Sequence, residues 1–135
     1  MKGAGRLKWF QTMWAGTDEY EGEGILPSGV IFTSSSGSNR QSVAEHILAF
    51  TMALCRRLPA YARQGNWNDL GSERRVAGGT ALIFGAGDLG GCIARRLQAF
   101  GVKTVGVCRR TSPDRPGFDR LVRLDEAETL LPAAD

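Results

Sequence analysis

One hexad constrains this chain more than any other stretch. Gly85-Ala86-Gly87-Asp88-Leu89-Gly90 spells G-x-G-x-x-G directly after the apolar run Ala81-Leu82-Ile83-Phe84. Behind it, Ile93, Leu97 and Phe100 recur at helical spacing and Gly101 stops the pattern. A second β-rich run follows, Lys103-Thr104-Val105-Gly106-Val107-Cys108. With 18 glycines in 135 residues the spacing alone arises by chance, so its context carries the weight. Strand, glycine turn, helix and strand in that order predict a parallel α/β unit whose turn holds a dinucleotide pyrophosphate. Gly85 permits the tight turn, Gly87 the approach of backbone to phosphate, and Gly90 close packing of helix on strand. Ala86, Asp88 and Leu89 belong to the same loop, and the N–H groups and positive dipole end of the helix from Asp88 face the ligand. The competing reading is a glycine-rich turn that binds nothing.

Composition narrows the alternatives. A hydrophobic share of 42% supports an ordinary core. A net charge of +3, with Lys and Arg scattered, argues against a nucleic-acid partner. The pairs Arg56-Arg57, Arg74-Arg75 and Arg95-Arg96 read as solvated faces. Cys55, Cys92 and Cys108 share no metal-ligand spacing, and Cys55 and Cys92 read as small core residues in a reducing compartment. No signal-type run opens the chain and no stretch suits a membrane span, so a cytoplasmic location is expected.

Upstream, Leu7–Trp14 reads as a buried or half-buried strand and Ala15-Gly16-Thr17-Asp18 as a turn. Glu19–Gly24 reads as a short helix or loop. Val30-Ile31-Phe32-Thr33 is a short strand. Two overlapping capping boxes, Ser38-x-x-Gln41 and Ser42-x-x-Glu45, then open a helix running from about Val43 to Leu58. That helix is apolar on several sides, which predicts burial by more than one neighbour, and Pro59 ends or kinks it. Downstream, Phe118–Val122 reads as a short strand and Leu124–Leu131 as a short helix capped by Asp125. A doubly wound sheet needs further strands, so the chain reads as a piece of a longer one.

These residues, taken together, resemble the D-isomer-specific 2-hydroxyacid dehydrogenases, which include glyoxylate/hydroxypyruvate reductases and phosphoglycerate dehydrogenases. The resemblance is carried by Leu7-Lys8-Trp9-Phe10-Gln11 with Ala15-Gly16-Thr17-Asp18, by Val43-Ala44-Glu45-His46 opening the long helix, and by Gly65-Asn66-Trp67. Gly78-Gly79-Thr80, the glycine hexad and Ala99-Phe100-Gly101-Val102-Lys103 complete it, from about Leu7 to Asp135. It implies a partial Rossmann-type parallel sheet in residues 43–135, beginning with the interdomain helix. Residues 1–42 are then part of a flavodoxin-like substrate domain. It implies that backbone near Trp14, Ala15 and Gly16 lines the substrate carboxylate, and that a homodimer forms near the long helix. Small 2-keto or 2-hydroxy acids are the implied substrates.

The family's catalytic Arg, Glu and His fall beyond residue 135 in this matching, so no catalytic residue is assigned. His46, the only histidine, and Glu45 read as a packing or interface residue and a capping residue. A second segment of the family is expected before Met1. The chain by itself is therefore expected to bind cofactor without turnover. The alternative is a non-catalytic, redox-sensing NAD(P)-binding module. As for the cofactor, Cys108 stands where an acidic residue would accept the 2′-hydroxyl of NAD. Arg109, Arg110 and Thr111 follow it and suit a 2′-phosphate, which favours NADP over NAD. A solvated basic loop is the competing account of Arg109 and Arg110.

Overall fold

The computed structural model describes residues 5–20, 22, 25–109 and 117–135. The chain divides into two compact units, residues 1–39 and 40–135.

In the first unit, β1 (Trp9–Gln11) and β2 (Ile31–Thr33) pair in parallel with Phe10 opposite Phe32. Both strands are shorter than the sequence pattern suggested. Leu7–Trp14 is not a buried strand: Trp9, Met13 and Trp14 are exposed, and the backbone bends after Gln11. Three rings supply the cohesion instead. Phe10, Tyr20 and Phe32 meet with centroids 5.3–5.8 Å apart, the tilted and offset range in which aromatic pairs attract. Tyr20 reaches the cluster from the short 3₁₀ turn Asp18–Tyr20. Of the acidic segment that follows, Glu21, Glu23 and Gly24 lie outside the described residues.

The second unit opens with α1 (Arg40–Cys55). It starts close to where the Ser38 box implied and earlier than the Ser42 box did, so Ser42 and Glu45 lie inside the first turns. It ends before Pro59, which cannot continue a helix but fits a first turn. Arg57, at φ +52°, turns the chain into the short α2 (Leu58–Tyr61). β3 (Thr80–Phe84), β4 (Lys103–Cys108) and β5 (Arg120–Arg123) then form a parallel sheet in that order. α3 (Asp88–Ala99) joins the first two strands, and α4 (Leu124–Leu130) follows the third.

Side chains alternate across the sheet and so build two cores. On one face, Ala81 and Ile83 pack with Ala44 and Ile47 of α1, Cys92, Ile93 and Leu97 of α3, and Val102. On the other, Leu82, Val105, Val107 and Val122 pack with Ala127 and Leu130 of α4. The result is a three-layer α/β/α unit, the architecture expected of a Rossmann-type domain.

Several local expectations need correction. Among the described residues α1 is not covered on several sides: only Ala44 of the helix is buried, while Phe50 and Leu54 are 57% and 68% exposed. Cys92 is a core residue, but Cys55 is only half-buried. On α3, Ile93 and Leu97 are buried while Phe100, just past the helix end, is half exposed. Asp125 does not cap α4. The cap position is Arg123, and the carboxylate of Glu126 accepts its N–H at 3.1 Å, one half of a capping box.

A buried Thr104 ties the return from β4 to the sheet. Its N–H and hydroxyl donate to Asp119 Oδ2 at 2.7 and 2.9 Å, and Gln98 Nε2 donates to the same hydroxyl at 2.9 Å. The Thr104 N–H, then the Gln98 side chain and the Thr104 hydroxyl, hold the Asp119 carboxyl below its ordinary range. A depressed carboxylate pKa contributes stability above the unfolded value of about 3.9, and that stability is lost as pH falls through the folded value. Urea midpoints should therefore drop below about pH 4. The drop should be smaller in Asp119→Asn, and an identical acid limb in both proteins would exclude this role.

Candidate functional site: the glycine turn and its cleft

Parallel strands present their carboxyl ends on one edge of the sheet, and that edge holds the site. The β3–α3 turn, the end of β4 and the start of α4 enclose a cleft of about 720 Å³. Phe84, Gly85, Ala86 and Gly87 line one side, Val107, Cys108 and Arg109 the next, and Leu124 the third. Gly85 N donates to Val107 O at 3.0 Å, which extends the β3–β4 ladder into the turn.

The three motif glycines are there for three separable reasons. Gly85 has φ +102°, a conformation that side-chain-bearing residues rarely adopt. Gly90 lies against the strand: a Cβ placed on it would stand 2.0 Å from Gly85 O and 3.5 Å from Ile83 Cγ2. Gly87, the N-cap of α3, has an extended backbone (φ −89°, ψ −158°), and a Cβ placed on it meets nothing within 4 Å. The fold itself does not need that glycine. It leaves open space at the mouth of a helix whose cap residue has no side chain to satisfy the first-turn N–H groups. Uncapped donors, the positive end of the α3 dipole and an unfilled cradle fit a phosphate group.

The sequence-derived residues separate accordingly. Gly85, Ala86, Gly87, Cys108 and Arg109 line the cleft together. Ala86 is 2% exposed, so it offers backbone only. Asp88, Leu89 and Gly90 stand behind that wall in the first turn of α3. Cys108 is buried, with its thiol 3.7 Å from Val122 O, and carries no carboxylate to the end of β4. Arg109 is exposed. Arg110 and Thr111 lie outside the described residues. In the first unit, Trp14 and Ala15 lie in the bend after β1 and Gly16 directly follows it. Trp14 N donates to Thr12 Oγ1 at 3.2 Å and Ser35 N donates to Trp14 O at 3.0 Å. Trp14 and Gly16 border a small hollow of about 170 Å³.

Sequence reasoning missed Leu124 as an apolar wall of the cleft. Its signal was available: a leucine at the carboxyl end of the strand next to the second one. It also missed Arg40. At the first residue of α1, its Nη1 donates to Asp88 Oδ1 at 2.7 Å, both side chains being about half exposed. The hydrogen bond to Asp88, and then its charge, raise the Arg40 pKa further above an already high value.

The sequence model of the D-isomer specific 2-hydroxyacid dehydrogenase NAD binding domain matches residues 48–135, a stretch that contains the whole sheet and the glycine turn. The chain belongs to that family. An uncharacterized protein in the mprR 3' region of Streptomyces coelicolor is 32% identical over 93% of this chain and 46% of its own length. Among solved structures, a D-isomer specific 2-hydroxyacid dehydrogenase family protein from Aeromonas salmonicida superposes with a TM-score of 0.84. It is 30% identical, over 98% of this chain and 43% of that one. The NADPH-dependent glyoxylate/hydroxypyruvate reductase of Sinorhizobium meliloti, solved with NADP and sulfate, superposes with a TM-score of 0.76. It is 25% identical, over 96% of this chain and 41% of its own. This member of the family therefore spans less than half the length of the relatives it matches. Among the described residues no helix is long and apolar enough to cross a membrane, and no cluster of three or more His, Cys, Asp or Glu could hold a metal ion.

Proposed function

We propose that this chain is the nicotinamide-dinucleotide-holding portion of an oxidoreductase that moves hydride between NADP and a small D-2-hydroxy or 2-keto acid. The observation that carries the reading is the open cradle at Gly87 in a cleft that also contains Cys108 and Arg109. In it, the backbone of Gly85–Gly87 and the start of α3 hold the diphosphate. Leu124 and Val107 border the nucleoside end. Arg109, with Arg110 and Thr111 after it, receives the 2′-phosphate. The bound nicotinamide supplies the hydride chemistry; this chain's residues bind and orient it. The Sinorhizobium relative was solved with NADP; the preference proposed here rests on Cys108 and the arginine that follows it.

On this reading residues 1–42 belong to the substrate domain, with the backbone of Trp14, Ala15 and Gly16 facing the substrate carboxylate. Residues 43–135 belong to the cofactor domain. The exposed Phe50 and Leu54 of α1 are the surface on which a homodimer forms in the cytoplasm. His46 stacks edge-on against Phe50 at 4.5 Å, as a packing residue does.

Calorimetric titration tests the preference. One good charged hydrogen bond is worth about 1.5 kcal/mol, so NADP should bind about tenfold more tightly than NAD. The gap should narrow at high salt, and Cys108→Asp with Arg109→Ala should invert it. Tighter NAD binding by the unmutated chain at low salt would return Arg109 and Arg110 to a solvated loop. Assayed with glyoxylate or hydroxypyruvate, the 135 residues alone should bind cofactor and leave it unreacted; cofactor oxidation above a no-protein control would locate the catalytic groups within them.

A further inference from the structure

The fourth position of the glycine hexad carries a difficulty that its other residues do not explain. Asp88 is the first residue of α3, immediately after the Gly87 cradle. A carboxylate there suits the helix dipole. It does not suit an incoming diphosphate, which brings negative charge to the same helix end. The chain answers from a different element, with Arg40 at the start of α1, 48 residues earlier in sequence, bonded to Asp88 Oδ1 at 2.7 Å. Arg40 makes no other ion pair among the described residues.

We propose that Arg40 is an affinity-setting residue of the cofactor site: by pairing with Asp88 it masks a carboxylate that would otherwise repel the diphosphate at the mouth of α3. The inference rests on the dinucleotide reading of the cleft and adds a residue that the glycine motif does not contain. It makes Arg40 a positioning residue, acting through Asp88 rather than on the ligand. The pair is half exposed, so its effect is modest and sensitive to salt.

A double-mutant cycle on this chain tests it, with the dissociation constants of NADP and of ADP-ribose read by calorimetry at low salt. Arg40→Gln should weaken both ligands about fivefold, the scale of an exposed charge pair. Asp88→Asn should bind at least as tightly as the unmutated chain. In the Asp88→Asn background, Arg40→Gln should cost little, because the charge it masks is gone. All differences should shrink as salt is raised. An Arg40→Gln chain that binds as the parent does overturns the proposal. So does a loss of equal size in both backgrounds, which would place Arg40 on the phosphate itself. Failure of the unmutated chain to bind either ligand instead overturns the dinucleotide reading, and Gly87→Val separates the two cases by abolishing binding whatever stands at residue 40.

Discussion

Gly87→Val is expected to leave the chain folded and to remove dinucleotide binding. Residue 87 has extended backbone angles open to any residue, and a Cβ there touches nothing within 4 Å. The added isopropyl group costs the fold little. It does occupy the space in front of the first turn of α3, where phosphate and backbone N–H groups must come within hydrogen-bond reach of about 2.9 Å. Losing those contacts together should weaken binding by about a hundredfold or more, about 2.7 kcal/mol. Gly87→Ala, with a single methyl, should lose less. Equal affinities in the parent and Gly87→Val chains, measured by calorimetry, would remove the phosphate from this turn.

Gly90→Ala should behave in the opposite way, damaging the fold before the site. Its Cβ would lie 2.0 Å from the carbonyl oxygen of Gly85, a backbone atom that cannot swing aside like the end of a long side chain. Forcing α3 off the strand is an overpacking change, with a cost of about 3 kcal/mol at the upper part of the usual range. Alanine returns about 1 kcal/mol through its better helix propensity. The net expectation is a destabilisation of about 2 kcal/mol, visible as a lower urea midpoint with little change in slope. A midpoint at or above that of the parent would mean that the strand and helix are not in the close contact described. Together the two substitutions separate a glycine kept for its ligand from one kept for its fold.

The sequence made the second unit legible because its signals are local. An apolar strand, a glycine turn, and Ile93 and Leu97 at helical spacing each specify their own element, and the core assembles from them. Where the reading fell short, the missing information was tertiary. The apolar residues of α1 predicted burial, but periodicity reports only that a stripe exists and not which neighbours cover it. Ala44 found α3; Phe50 and Leu54 stay largely exposed among the described residues. At Leu7–Trp14 composition predicts one continuous strand, whereas Phe10 joins a three-ring cluster, Trp9 stands exposed on a three-residue strand and Trp14 lies in an exposed bend. Arg123 outcompeted Asp125 at the start of α4 because Glu126 completes the box from within the helix. Within the site, the glycines, Cys108 and Arg109 could be found from the motif and its spacing. Leu124 was open to the same reasoning, as a leucine at the end of the next strand, whereas Arg40 is harder to find, since it meets Asp88 from an element distant in sequence.

The return from β4 to β5 is fastened at both ends. Cys108 is held opposite Arg123 in the ladder. On the far side Gly117, at φ +106°, lies so close to Gly91 O that a Cβ would come within 2.9 Å of it. Phe118 covers Gly106, and Asp119 is bonded to Thr104. The chain between Arg109 and Gly117 is therefore joined to ends that the sheet itself fixes. Closing a longer loop between fixed ends costs only about 0.6 kcal/mol for each doubling of its length. On the proposed reading of Arg109, discrimination between one nucleotide and another is uncoupled from the folding of the sheet, and a lineage could alter the first without renegotiating the second.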